Sequence, residues 1–83
     1  GPVRVKICGV TNAADAELAA SAGADAVGVN FFSGSKRFVR LEDARDWLTP
    51  LAGRVDRIAV VVNASAEELA RLHDAGCFDA VQF

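Results

Sequence analysis

The chain has 83 residues, a formal net charge of −2 at pH 7, 52% hydrophobic residues and 24% charged residues. This composition predicts one small folded domain, and the interspersed charges lack the basic face that a nucleic-acid-binding surface needs. Apolar runs fall well short of the roughly 20 residues that cross a bilayer, so we expect no membrane span, and we also expect no signal peptide. Two cysteines with one histidine argue against a metal site. Two free thiols suit a reducing cytoplasm.

Strands and helices alternate along the chain. In chain order, we predict a strand at 3–7, a helix at 12–22, a strand at 26–31, a helix at 41–51, a strand at 57–62, a helix at 65–75 and a strand at 80–83. Asn12 and the Ser65/Glu68 pair are typical of helix starts, whereas Gly23 and Gly76 stand where helices end.

A short internal repeat links these elements. Ala-Gly-Ala-Asp-Ala-Val at 22–27 recurs at 75–81 as Ala-Gly-Cys-Phe-Asp-Ala-Val. Each copy combines a helix end, a glycine, an aspartate and the start of a strand, which is half of a βα unit. Alternating elements with short loops predict a parallel α/β sheet with right-handed crossovers and the strand order 1-2-3-4.

The alternation of side chains divides each strand between two faces. We assign to the helix-covered face Val3, Val5, Ile7, Val27, Val29, Phe31, Ile58, Val60, Val62, Val81 and Phe83. The opposite face then carries Arg4, Lys6, Cys8, Ala26, Gly28, Asn30, Ala59, Val61, Asn63, Ala80 and Gln82. Because this second face ends in polar groups near the carboxyl end of each strand, we expect it to be the inside of a barrel with chemistry at that end.

Several motifs, in order, resemble one enzyme family. They are Lys-Ile-Cys-Gly-Val-Thr-Asn at 6–12, Gly-Ala-Asp-Ala-Val-Gly at 23–28, Asn-Phe-Phe at 30–32, Ser-Lys-Arg-Phe-Val at 35–39, Val-Val-Val-Asn-Ala-Ser at 60–65 and Asp-Ala-Val-Gln at 79–82. Together the motifs resemble phosphoribosylanthranilate isomerase. The resemblance implies that 1–83 is a single partial domain, the first four strands of a TIM (β/α)8 barrel, which normally needs about 200 residues or more.

The resemblance also implies a reaction. The family converts an aminoaldose phosphate to an aminoketose in tryptophan biosynthesis, with an acid that opens the sugar ring, a base that removes a proton beside the imine, and no cofactor or metal. The base of the family corresponds to Cys8. Lys6 on the same face and the nearby start of the first helix would favour the thiolate form that such a base requires. The alternative is that Cys8 is a small core residue.

Substrate binding is expected from other positions in these motifs. Arg37, in the polar loop 32–40, corresponds to the arginine that contacts the anthranilate carboxylate in the family, and its planar fork suits that anion. The alternative is a solvated basic loop, and Lys36 replaces a proline that the family often has. Asn30 and Gln82 either orient the site or satisfy the barrel rim, and Lys6 completes the expected substrate-binding set.

The acid and the phosphate-binding loops of the family lie on later strands, outside this chain. We therefore expect the 83-residue chain alone to be inactive. The alternatives are an open flavodoxin-like sheet without catalysis, or a half-barrel that self-associates or complements a C-terminal portion. With Ala26, Gly28, Ala59 and Val61 predicted to be open to water and both sheet edges unpaired, association with another chain is expected.

Overall fold

Four parallel strands form one sheet in the order 1-2-3-4. The structure is a computed structural model that describes residues 4–83. The elements are β1 (Lys6–Cys8), α1 (Ala13–Ser21), β2 (Ala26–Asn30), α2 (Leu41–Leu48), β3 (Asp56–Val60), α3 (Ala66–Ala75) and β4 (Ala80–Gln82). The predicted parallel pairing and strand order are confirmed, whereas the placement of Val3 lies outside the described residues.

The helices begin where the sequence indicates. The Asn12 side chain accepts a hydrogen bond from the Asp15 amide, and Ser65 and Glu68 form a reciprocal capping box at the start of α3. Gly76 ends α3 with a left-handed φ of 67°, which a side chain would disfavour. Among residues 4–83, the helices are too short or too polar to cross a membrane.

The second helix ends earlier than predicted. It stops at Leu48, and a 3-10 turn over Thr49–Leu51 carries the chain away from it. Pro50 explains this change, because its ring lacks an N–H and collides with the carbonyl of the preceding α-helical turn.

The core lies between the sheet and the helices. Val27 and Val29 of β2 are completely buried and form its centre. The other buried members of this cluster are Val10, Ala16, Ala19, Val39, Ala44, Leu48, Leu51, Val55 and Cys77. A second cluster joins Ala59 and Val61 to Leu72 of α3, so the helices cover the side of the sheet that carries Val27 and Val29.

The predicted faces of β3 are wrong. Val29 lies opposite Ala59, and Asn30 lies opposite Val60. Ala59 therefore points toward the helices, where it is completely buried, and Val60 points to the inner face of the sheet. Both faces of this strand are apolar, so hydrophobicity could not distinguish the two alternations, and the pairing with β2 decides between them.

The expected exposure of the small inner-face residues is also wrong. Ala59 and Val61 lie under the helices and are buried. Ala26 is only 5% exposed, and Gly28 is covered by neighbouring side chains. Asn63 lies beyond the end of β3 with a left-handed φ of 51°, so strand alternation does not place it on the inner face.

The repeated aspartates fasten the amino end of the sheet. Asp25 accepts a hydrogen bond from the Val5 amide at 2.7 Å, and Asp79 accepts one from the Arg57 amide at 2.8 Å. The Asp79 carboxylate also pairs with the Arg57 guanidinium, which is almost completely buried, at 3.1 and 3.2 Å. These hydrogen bonds hold the pKa of Asp79 below its ordinary value, although partial burial opposes the shift.

Asp79→Asn should destabilise the fold by roughly 1–3 kcal/mol at pH 7, because it leaves the Arg57 charge buried without its partner. The expected loss is below that of a fully buried pair, since the Asp79 side chain is 40% exposed. Because the folded pKa is lowered, the carboxylate stabilises the fold above about pH 4 and loses this effect as the pH falls further.

Urea unfolding at several pH values tests this prediction. The difference in free energy of unfolding between the original chain and Asp79→Asn should shrink below about pH 4. Asp46→Asn is a suitable control, because Asp46 is exposed on α2 and makes no hydrogen bond or salt bridge within residues 4–83. A difference that stays constant down to pH 2 would contradict the role of the charge.

Candidate active site

The carboxyl ends of the strands bring the predicted polar residues to one side of the sheet. Lys6 and Cys8 of β1 are in register with Ala26 and Gly28 of β2, so all four belong to the inner face. Gly28 has no side chain and leaves a space next to Lys6 and Cys8. A Cβ atom at Gly28 would lie 3.3 Å from Lys6 Cε and 3.5 Å from Cys8 Sγ, so the missing side chain leaves room for both groups.

The Lys6 side chain crosses the inner face. Its Nζ donates a hydrogen bond to Oε1 of Gln82 on β4, at the opposite edge of the sheet. It passes over Gly28, where a larger residue would stand in its way. The structure thus brings two predicted substrate-binding residues into direct contact and places a positive charge over the centre of the inner face.

Cys8 is an exposed thiol at the end of β1. Immediately after it, Gly9 adopts a φ of 78°, and the amides of Gly9 and Val10 both donate to the Gly28 carbonyl oxygen, at 3.0 and 3.1 Å. This turn ends the strand and leads the chain toward α1. Within residues 4–83, Cys8 thus lies outside the hydrophobic core.

The second cysteine provides a useful contrast. Cys77 is completely buried in the core beside α2 and α3. Burial raises the pKa of the Cys77 thiol, which keeps it protonated and unreactive. The sequence assigned Cys77 no function, and its position in the core agrees with that assignment.

Arg37 lies directly over the turn that follows Cys8. A Cβ atom at Gly9 would stand 2.6 Å from Arg37 Cδ and 2.9 Å from Nη1. The arginine can approach this closely because Gly9 has no side chain. Arg37 is itself exposed, so its guanidinium is available to an anion that reaches the Cys8 thiol.

Asn30 contacts the loop that carries Arg37. Its Nδ2 donates to Ser35 Oγ at 3.1 Å, and the Arg37 amide donates to the same oxygen at 3.0 Å. Of the residues expected to bind substrate, Lys6 and Arg37 therefore lie beside the Cys8 region, Gln82 contacts the Lys6 ammonium group from β4, and the Asn30 side-chain amide faces the loop. Direct contact between Asn30 and a substrate stays a prediction.

An open groove of about 740 Å³ lies beside β1, on the side that carries α1. Val5, Ile7 and Leu18 line its apolar part and are 47%, 42% and 68% exposed. Cys8 and Arg37 also line this groove. A smaller cavity of about 200 Å³, between the loop before α2 and α3, does not include Cys8.

The site shows no arrangement for a metal. Within residues 4–83, no three histidine, cysteine, aspartate or glutamate side chains come close enough together to hold an ion. The predicted site residues at the carboxyl edge of the sheet contribute a thiol, an ammonium group, a guanidinium group and side-chain amides. They suit proton transfer and the binding of an anionic substrate.

Sequence reasoning did not assign functions to Gly9, Gly28 and Ser35. The two glycines make space for Arg37, Lys6 and Cys8, and the serine holds the backbone of the loop. A glycine directly after Cys8 and a serine two residues before an arginine were the available signals. Their meaning depends on contacts between separate segments, which the strand pattern does not reveal.

Alternating parallel βα units with polar groups at the carboxyl edge of the sheet are typical of part of a (β/α) barrel. The model of the N-(5'-phosphoribosyl)anthranilate isomerase family matches residues 5–83. The chain therefore belongs to this family, and its fold is the first four strands of the family's TIM barrel.

Individual relatives agree with this assignment. The chain is 44% identical over 81 residues to the isomerase of Pseudomonas paraeruginosa and 46% identical over 80 residues to that of Thermotoga neapolitana. These alignments cover 98% and 96% of the chain, but 38% and 39% of the relatives. The crystal structure of the Thermotoga maritima enzyme superposes with a TM-score of 0.90 at 42% identity, over 96% of this chain and 39% of that one.

A further similar structure contains a ligand. It is a phosphoribosyl anthranilate isomerase in complex with reduced 1-(o-carboxyphenylamino)-1-deoxyribulose 5-phosphate, with a TM-score of 0.90 and 42% identity. That match covers 96% of this chain and 41% of the other. The chain thus spans about two fifths of the length of the relatives that it matches.

Proposed function

We propose that this chain is the N-terminal part of a phosphoribosylanthranilate isomerase, an enzyme of tryptophan biosynthesis, and that it supplies the general base and the carboxylate-binding arginine. The observation that supports this most strongly is the convergence of an exposed thiol and an arginine at one turn. Arg37 lies against Gly9, and Gly9 directly follows Cys8.

In this proposal, Cys8 moves the proton that defines the reaction. An acid outside this chain donates a proton to the ring oxygen of the sugar, and the C–O bond breaks to give an open-chain protonated imine. The Cys8 thiolate then removes the proton from the neighbouring carbon. The electron pair of that C–H bond forms a C=C bond, and the π pair of the C=N bond returns to nitrogen, which gives a neutral enolamine. Tautomerisation gives the aminoketose. Hydrogen is only redistributed within the substrate, so no redox cofactor is required.

Two cations support this step. Lys6 crosses the inner face near Cys8, so its positive charge lies beside the region in which the proton is removed. Arg37 binds the anthranilate carboxylate at the other side of the Gly9 turn. The ligand of the similar structure has a carboxyphenylamino group, and its carboxylate is an anion of the kind that an exposed guanidinium binds. Gln82 orients Lys6 through their hydrogen bond.

An isomerisation assay on a complete barrel tests the function. For this purpose the chain is joined to the part of the Thermotoga neapolitana relative that it does not cover, which gives the full-length barrel used in the experiments below. Conversion of N-(5'-phosphoribosyl)anthranilate to the aminoketose without any added cofactor is expected. A well-folded full-length barrel without this activity would contradict the proposal.

The 83-residue chain alone should not isomerise the substrate at a measurable rate. In this proposal the acid and the phosphate-binding loops lie on later strands, and the chain covers only 38% of the Pseudomonas paraeruginosa relative. Assay of the purified chain at high concentration tests this. Turnover comparable to that of the full-length barrel would mean that a residue in this chain acts as the acid.

We also propose that the chain associates with another polypeptide through its two sheet edges. On the β1 edge, Val5 and Ile7 are 47% and 42% exposed, and near β4, Val81 and Phe83 are 38% and 80% exposed. Free edges beside exposed apolar side chains favour pairing with further strands. The C-terminal part of the barrel is the proposed partner, and a second copy of the chain is the alternative. A free catalytic thiol suits a reducing compartment, so we place the enzyme in the cytoplasm.

A further inference from the structure

We propose that Ser35 is a positioning residue, which acts with Asn30 to fix Arg37 over the Gly9 turn and thereby strengthens substrate binding. The inference rests on the proposed function, because it assumes that Arg37 binds the substrate carboxylate. It concerns a residue to which neither the sequence motifs nor the family comparison assigns a function.

The first support is the hydrogen bonding of the Ser35 hydroxyl. Its oxygen accepts hydrogen bonds from the Asn30 amide at 3.1 Å and from the Arg37 backbone N–H at 3.0 Å. The second bond is local, since serine side chains commonly cap a backbone amide two residues later in a turn. Ser35 thus connects the end of β2 to the backbone of the arginine.

The backbone reinforces this connection. The Val39 amide donates to the Asn30 carbonyl oxygen at 3.0 Å, and Asn30 pairs with Phe38 in an isolated parallel bridge. The Phe38 amide also donates to the Ser35 carbonyl oxygen at 3.2 Å. Backbone pairing with Asn30 therefore holds the C-terminal end of the loop, and the Ser35 hydroxyl holds its middle.

The position of Arg37 depends on this loop. Its side chain is exposed and makes no hydrogen bond or salt bridge within the described residues, so few contacts of its own hold it in place. A long, exposed arginine side chain is free to adopt many rotamers, and ordering it on binding reduces affinity. A backbone fixed through Ser35 keeps the Arg37 side chain within reach of the region above Gly9 before the substrate arrives.

The test measures steady-state kinetics of the full-length barrel with single and combined substitutions. Ser35→Ala should raise KM about fivefold to thirtyfold, because two hydrogen bonds are lost, while kcat stays within about twofold. Asn30→Leu, which removes only the donor to Ser35, should act in the same direction. Ser35→Thr keeps the hydroxyl and should restore most of the affinity.

The control is Ser33→Ala in the same loop. Ser33 is exposed, and its hydroxyl makes no hydrogen bond within residues 4–83, so KM and kcat should not change. Amide hydrogen exchange on the same samples supplies a readout that does not require activity. The Arg37 amide should exchange about fivefold faster or more in Ser35→Ala, and at the original rate in Ser33→Ala.

The decisive comparison uses Arg37→Ala as the background. If Ser35 and Asn30 act through the arginine, Ser35→Ala and Asn30→Leu should change KM by less than about twofold once Arg37 is absent. Additive effects would overturn the proposal, and an additive effect of Asn30→Leu alone would mean that Asn30 touches the substrate itself. Unchanged exchange of the Arg37 amide in Ser35→Ala would overturn it as well, even if the full-length barrel showed no isomerase activity.

Discussion

Cys8→Ala in the full-length barrel should lower kcat by about 10²–10⁴-fold and change KM little, since a positioned general base contributes to the transition state rather than to ground-state binding. The expectation follows from the position of Cys8, an exposed thiol at the carboxyl end of β1, beside the Lys6 side chain and the Gly9 turn. Steady-state assays at saturating substrate measure the effect.

The second cysteine is a matched control for Cys8. Cys77→Ala removes the same atom from a buried position in the core, away from the inner face. It should reduce stability, because it leaves a small cavity, yet leave kcat close to that of the original protein. A Cys8→Ala variant with nearly normal kcat would show that another group removes the proton.

Arg37→Ala should raise KM by about 10–100-fold with a smaller change in kcat, because the carboxylate is present in both the substrate and the transition state. Arg37→Lys should recover little of this loss, since an ammonium group lacks the planar fork that binds a carboxylate through two parallel hydrogen bonds. Substrate titrations at several salt concentrations separate this contact from general electrostatic attraction.

The neighbouring residue provides the control for charge. Lys36→Ala removes one positive charge from the same loop, whereas the three atoms nearest to a Cβ at Gly9 all belong to Arg37. A change in KM of less than about threefold is expected for an exposed charge of this kind. Equal effects of Lys36→Ala and Arg37→Ala would mean that the loop acts only through its net charge.

The sequence was sufficient for the architecture of this chain. Asn12 and the Ser65/Glu68 pair begin their helices as local hydrogen-bonding rules predict, and Gly76 ends one with a positive φ. These signals act within a few residues, so they can be recognised without knowledge of the tertiary structure. The repeated helix–glycine–aspartate–strand unit then predicted the parallel strands and their order, which the structure confirms.

Features that depend on contacts between separate segments were harder to predict. The faces of β3 were wrong because both are apolar, and only the pairing of Ala59 with Val29 decides which one meets the helices. The contact of Lys6 with Gln82 spans the sheet from one edge to the other, so it depends on sheet shape. The two motifs that contain Cys8 and Arg37 were found through family resemblance, but the role of Gly9, which allows the two segments to meet, was not.

Complementation in trans tests the central claim most directly, namely that these 83 residues supply the base to a barrel completed by other strands. The chain is mixed with the separately produced remaining part of the Thermotoga neapolitana relative, and isomerisation is measured for each part alone and for the mixture. We expect activity only in the mixture, together with a heterodimer in size-exclusion chromatography, and its loss when the chain carries Cys8→Ala. A heterodimer that is equally active with Cys8→Ala, or full activity of either part alone, would contradict the account.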